Sequence, residues 1–297
     1  MSKRFATLIG CSAIVLWATL LALLRLASSQ LQPAVAICII YSLAALLLLA
    51  LFKWPKLKNF SKTYLYTATL LFVAYELCLS FSISLAQSNQ QAIEISIINY
   101  LWPSLTVFLL LLCKEQRLHW LFIPGLFLSL CGVVSVQMGD SFHHSKHFLI
   151  HLQQNPVSYV LAFCGAIIWA AYCVLTKKQG NGQNAIVLFF CATAITLWLN
   201  LLISGQFQIA TLGASDIGYL GLAATAFALG YAAWNIGILH GNLNILVILS
   251  YFTPVISSLF AMLLLNVTLG LSFWSGTAMV TLGSLLCWYA TQRAAPA

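Results

Sequence analysis

Charge is what this sequence most lacks. Of 297 residues 6% are charged, 13 Lys and Arg against 5 Asp and Glu. A soluble domain carries about 25% charged residues and about 45–50% apolar ones, and it needs the former to cover its surface. At 62% hydrophobic residues and a mean hydropathy of +0.96, this chain cannot do so, which excludes a soluble catalytic domain. Paired cysteine motifs are lacking as well. The nine cysteines sit singly within apolar runs and never as C-x-x-C, so neither a disulfide framework nor a thiolate metal site is indicated. They read as small packing residues. There is no G-x-S-x-G, no H-E-x-x-H and no acidic pair on one helix. With no nucleophile beside a base and no metal pair, no enzyme and no cofactor is implied.

What is abundant is long apolar runs. A bilayer core of about 30 Å needs about 20 apolar residues per helix, so the chain has room for about ten. The runs fall near 5–27, 33–52, 64–87, 91–113, 118–137, 157–177, 184–204, 215–239, 243–265 and 271–291. The first, with Lys3-Arg4 before it and Ala27-Ser28-Ser29 after it, has features of a signal peptide. It is long for one, and a similar helix reappears later, so it is read as the first span.

A net charge of +8 suggests nucleic acid in a soluble protein, but in a membrane protein the positions of the bases decide. Alternating the loops between two sides puts Lys3, Arg4, Lys53, Lys56, Lys58, Lys62, Lys114, Arg117, Lys177, Lys178 and Arg293 with the N-terminus, and only Lys146 and Arg25 opposite. Basic residues concentrate in cytoplasmic loops, so both termini are expected to be cytoplasmic. The expected partner is the lipid bilayer, not nucleic acid.

The chain repeats itself. Tyr100 and Tyr251, Pro103 and Pro254, Gly125 and Gly276, and Gly132 and Gly283 all stand 151 positions apart, and the runs around Trp17 and Trp169 match at an offset of 152. The expected organisation is a five-helix unit over 1–137, an external linker over 138–156 and a second unit over 157–297. Because five is odd, the second copy enters the membrane in the opposite sense. Such inverted repeats let a secondary transporter alternate access to a midplane site.

Charge within a span is costly and marks function. Glu76 lies near the middle of the third span, and at 100° per residue Ser80, Ser84 and Gln87 fall within 80° of it, giving a polar stripe that suits a pathway. Glu94 and Arg25 lie nearer span ends. Trp17, Tyr75, Tyr100, Trp102, Trp169, Tyr172, Tyr231, Trp234 and Tyr251 lie at mid-depth, away from the interfaces where such residues usually anchor. Their polar hydrogens need partners there, which a cavity supplies. Pro103 and Pro254 kink matching spans, which is tolerated beside a cavity. Gly125, Ser129, Gly132, Gly276 and Gly283 form small-residue stripes expected to pack helices closely. The linker carries Asp140, His143, His144, His147 and His151. It is read as a polar interfacial connection and not as a metal site, since a transported metal would need ligands within the spans.

The runs LLFVAYELCLS at 70–80, QAIEISIINYLWPSLT at 91–106, LAFCGAIIWAAYC at 161–173, GYAAWNIGILHGN at 230–242 and SYFTPVISS at 250–258 carry a resemblance. The chain resembles the EamA-type members of the drug/metabolite transporter superfamily, and within it the exporters of aromatic amino acids. The resemblance implies an all-α bacterial inner-membrane protein of ten transmembrane helices in two inverted five-helix repeats. It would export aromatic amino acids, and aromatic cations such as paraquat, with no protein partner. It also implies a central cavity lined by Tyr75, Trp102, Trp169, Tyr231 and Trp234, with Glu76, Asn99 and Asn235 as polar members.

Substrate rings would stack on Trp102 or Trp169, and an ammonium would pair with Glu76 or lie over an aromatic face. The carboxylate has no mid-depth Lys or Arg and would fall to Asn99, Asn235 or indole N–H groups. Glu76 is the candidate for exchanging a proton against substrate; uncoupled facilitated export is the rival. A carrier for another small molecule, such as a nucleotide sugar or a metal ion, and a passive channel are the alternative functions.

Overall fold

The structure is a computed structural model that describes residues 1–27, 32–114, 119–138, 146–205, 213–265 and 269–293. Among these the chain is helical throughout, with no strand. The long helices are α1 (Lys3–Ala27), α2 (Pro33–Phe52), α3 (Lys62–Ser84), α8 (Pro156–Gln179), α9 (Ile186–Ile203), α10 (Ala214–His240) and α13 (Leu271–Arg293). Two further spans are interrupted, α4 (Asn89–Asn99) with α5 (Trp102–Leu112), and α11 (Leu243–Ser250) with α12 (Thr253–Leu265). The shorter helices are α6 (Phe122–Met138) and α7 (Lys146–Gln154).

Ordinary capping chemistry sets several ends. Pro33 opens α2, where its missing N–H costs nothing. The Ser88 hydroxyl caps α4 by accepting from the Gln91 N–H at 3.1 Å. Asp216 in the first turn of α10 accepts from the Gly213 N–H at 3.0 Å, placing an anion at the positive end of the helix dipole.

Among the described residues eight stretches are long and apolar enough to cross a membrane, and the α11–α12 pair, bent by 46°, makes a ninth if counted as one span. Large apolar side chains lie exposed along them, Leu8, Tyr66, Leu70, Ile195, Ile203 and Trp274 among them. In water such surfaces would aggregate; in lipid they face their own kind. The protein is a multi-pass membrane protein.

The helices form two compact units. The first comprises Met1–Val73, Leu175–Asn242 and Leu259–Asn266, the second Ala74–Val174, Leu243–Ser258 and Val267–Ala297, so the divisions fall within α3, α8 and α12. In the first unit α1 packs on α10, and α2 on both α9 and α10. Gly230 permits the α1–α10 approach, since a Cβ there would lie 2.8 Å from the Trp17 indole nitrogen.

In the second unit α6 packs along α13, α4 packs on α6 and α7, and α11 packs on α5 and α13. The small-residue stripes do what was expected of them. A Cβ on Gly132 would stand 2.6 Å from the Val280 nitrogen and 2.7 Å from the Gly276 oxygen, and one on Gly283 would meet the Ser129 backbone and hydroxyl. The two backbones are in contact where only glycine fits.

Candidate functional site

The expected residues assemble into two clusters, one in each unit. In the second unit Tyr75 comes from α3, Trp169 from α8 and Trp102 from the start of α5. The Trp169 ring lies 4.7 Å from Tyr75 between centroids and 6.3 Å from Trp102, which meets it edge-on at 89°. Tyr172 stacks on the Trp169 ring at 5.0 Å. These offset and edge-on geometries are the ones the ring quadrupole favours. All three expected rings are buried.

The polar members lie beside this cluster. The Asn99 side chain hydrogen-bonds the Tyr75 hydroxyl, while its buried Oδ1 has no partner among the described residues. Glu76 is buried to 3% exposure. An acceptor oxygen and a carboxylate adjoining an aromatic stack can receive an ammonium and a ring together.

The proline breaks are built alike. Leu101 N–H bonds the Ile98 carbonyl and Phe252 N–H bonds the Leu249 carbonyl, both at 3.0 Å, one tight turn at each break. These four residues keep the 151-residue offset. Pro103 and Pro254 stand just beyond, each lacking the N–H that would have reached back one turn. The carbonyl freed by Pro254 belongs to Ser250, and the Thr253 hydroxyl donates to it at 2.7 Å. The corresponding residue in the first half is Trp102, which offers no hydroxyl. The breaks are joined by Ser104 and Tyr251, whose hydroxyl oxygens lie 2.6 Å apart.

In the first unit Tyr231, Trp234 and Asn235 lie on α10. Trp17 of α1 packs on both rings, 5.1 Å from Tyr231 and 5.2 Å from Trp234. Tyr231 also meets Phe72, Phe190 and Phe227 at 5.3–5.7 Å. Asn235 donates through Nδ2 to Asn184 Oδ1 at 3.2 Å, and the same oxygen accepts from the Ile186 N–H at the start of α9.

Sequence reasoning passed over some of these partners. Trp17, already placed among the mid-depth rings and opposite Trp169 in the repeat, is missing from the expected lining. Asn184 lies in a short loop and carries neither signal.

Two expectations need correction. The polar stripe on the third span stops short: α3 ends at Ser84, so Gln87 is not on it. The Gln87 N–H instead bonds the Gln91 side chain at 2.6 Å, because the chain turns there to begin α4. The connection between the halves is also more than a polar linker. Asp140, His143 and His144 lie outside the described residues, as do Arg117 and the 28–29 pair. Residues 146–154 form α7, and His151 on it contacts Glu94. Among the described residues no group of three or more His, Cys, Asp or Glu is placed to hold a metal ion.

A bundle of apolar helices with paired proline breaks and buried aromatic clusters is the framework of a membrane carrier, and the family comparison agrees. The EamA-like transporter family matches residues 4–138 and again 157–289, and the chain belongs to it. Among curated relatives, the aromatic amino acid exporter YddG of Escherichia coli is 45% identical over 295 residues, 99% of this chain and all of that protein. The YddG of Salmonella typhimurium is 44% identical, covering 99% of this chain and all of that one. The YddG of Ancylobacter novellus is 26% identical over 87% of this chain and 88% of that one. A crystal structure superposes with a TM-score of 0.81 over 98% of this chain and 99% of that one, at 20% identity; it speaks to the fold alone.

Proposed function

We propose that this protein is a secondary transporter that exports aromatic amino acids, and aromatic cations, across the bacterial inner membrane by alternating access, and that it is not an enzyme. The observation that carries the reading is 45% identity, across 99% of the chain, to an exporter of that substrate class. The Trp169 stack with its adjoining Asn99 and Glu76 supplies the chemistry. Rings stack on Trp102 and Trp169, and the ammonium goes to Asn99 Oδ1 and Glu76. The proposed contacts extend to Tyr75, Tyr231, Trp234 and Asn235, with Pro103 and Pro254 as the points of flexure.

The proposed topology has ten spans. The eight long stretches and the bent α11–α12 pair are joined by α6, an apolar helix of 17 residues. The repeats 1–137 and 157–297 are proposed to be inverted about the 138–156 linker, with both termini cytoplasmic. The excess of bases in the loops on the N-terminal side supports that orientation.

The test is counterflow of labelled tryptophan in liposomes holding the purified protein, challenged with phenylalanine, tyrosine, an aromatic dication, a nucleotide sugar and a divalent metal. Saturable uptake, competed by the aromatic compounds alone, is expected. Competition by the nucleotide sugar or the metal would move the protein to another carrier class, and flux that does not saturate would make it a channel.

A further inference from the structure

Glu94 has no part in the transport reading, yet it is the centre of a built site. Its carboxylate is buried to 2% exposure. The Tyr159 hydroxyl of α8 donates to Oε2, and His151 Nδ1 of α7 lies 3.2 Å from Oε1 and 3.1 Å from Oε2. A surrounding shell fixes these elements together. Buried Gln91 reaches the His151 carbonyl through Nε2 at 3.5 Å, and its Oε1 accepts from Asn155 Nδ2 at 3.3 Å. Asn155 also donates to the Leu85 carbonyl at 2.8 Å. Among the described residues, the titratable groups in contact with the carboxylate are His151 and Tyr159. Gln91 and Asn155 are neutral, the α3–α4 turn offers backbone groups, and α6 carries no charged residue. The His151 side chain is 22% exposed, so it is the member that reaches water.

From this geometry we propose that the Glu94–His151 pair is a proton-binding site, distinct from Glu76, and that its proton load sets how firmly α7 is docked on α4. With one proton shared between imidazole and carboxylate, Nδ1 and an Oε always present one donor to one acceptor, and the Tyr159 O–H fills a remaining lone pair. The contact holds whichever group carries the proton. A second proton, taken from solvent through His151, turns the carboxylate into a neutral carboxyl: the imidazolium N–H loses its anionic acceptor and keeps only the carbonyl oxygen, a weaker partner. The pair then weakens, and α7 is held on α4 chiefly by the neutral Gln91 bond to the His151 carbonyl. No other co-reactant is needed; solvent supplies the proton and takes it back. The inference rests on neither the aromatic substrate nor the use of Glu76.

The test follows protonation and docking separately, in liposomes without substrate, so its failure is independent of the transport reading. With only 5 acidic residues in the chain, infrared titration can assign a carboxylic-acid band. On acidification a band is expected in the wild type and in Glu76→Gln and absent in Glu94→Gln; a wild-type spectrum unchanged by Glu94→Gln would overturn the site. Hydrogen exchange of 146–154, corrected for intrinsic rates, is expected to rise several-fold on acidification in the wild type. It should stay flat in His151→Asn, whose amide keeps a donor or acceptor toward Glu94 without titrating. The same acid-induced rise in His151→Asn would refute the latch, and this arm stands if Glu94→Gln does not fold.

Discussion

The hydroxyls of Ser104 and Tyr251 lie 2.6 Å apart, joining the start of α5 to the break between α11 and α12. Two interrupted helices, each weakened by a proline, thus lean on one neutral hydrogen bond. Such a bond contributes about 1 kcal/mol net, whereas leaving one buried partner unsatisfied costs about 1–3 kcal/mol. Ser104→Ala should therefore cost more stability than the double change Ser104→Ala with Tyr251→Phe. Thermal unfolding in one detergent, run as a double-mutant cycle, measures the difference; strict additivity would mean that the bond contributes nothing.

The Trp169 stack offers a graded prediction for transport. Trp102→Phe and Trp169→Phe keep an apolar ring but remove indole surface and its N–H. Aromatic pairs contribute about 0.5–1.5 kcal/mol beyond burial, so KM for tryptophan should rise roughly two- to tenfold. Trp169→Ala would also open a cavity costing about 3–5 kcal/mol, which makes it the poorer probe. Kinetics at matched protein content check this, and an unchanged KM in both phenylalanine variants removes the stack from the site.

Glu76 is the residue proposed to couple protons to substrate. In Glu76→Gln the amide keeps the shape and cannot ionise. Export driven by an imposed pH gradient should fall to the rate seen without one, while exchange of substrate for substrate survives. A gradient response of wild-type size in the variant would place coupling elsewhere.

At Gly132 the neighbours of an added Cβ are backbone atoms of Val280 and Gly276, which cannot swing aside as a flexible side chain would. Gly132→Ala should destabilise the α6–α13 pair by about 1–3 kcal/mol, the usual cost of overpacking. Gly218→Ala on α10, where nothing lies within 4 Å of the added atom, is the control and should unfold at or above the wild-type temperature. Equal melting of the two variants would mean that the close approach carries no stability.

Much of this molecule was legible beforehand because the bilayer imposes a length on every helix. The run at 33–52 became α2, Pro33–Phe52, and the break in the ninth run fell just before Pro254. Tyr75, Trp102 and Trp169 stood among nine mid-depth rings, and it was the family resemblance that singled them out. Asn184 and the proper place of Gln87 could not be named in advance, because loop geometry leaves no periodic trace.

The sequence by itself determined the class of protein, the approximate position of each apolar helix, and the internal repeat, because these follow from local composition and from spacing along the chain. Which helix packs on which was decided only in three dimensions. In a lipid-facing helix the outer and inner faces are both apolar, so periodicity does not announce that α1 lies on α10 or α6 on α13. That choice comes from shape, through contacts such as Trp17 over Gly230 and Gly132 against Gly276. The same holds for Glu94. Its residue type marked it as costly to bury, and only the fold brought Tyr159 and His151 from distant parts of the chain to satisfy it.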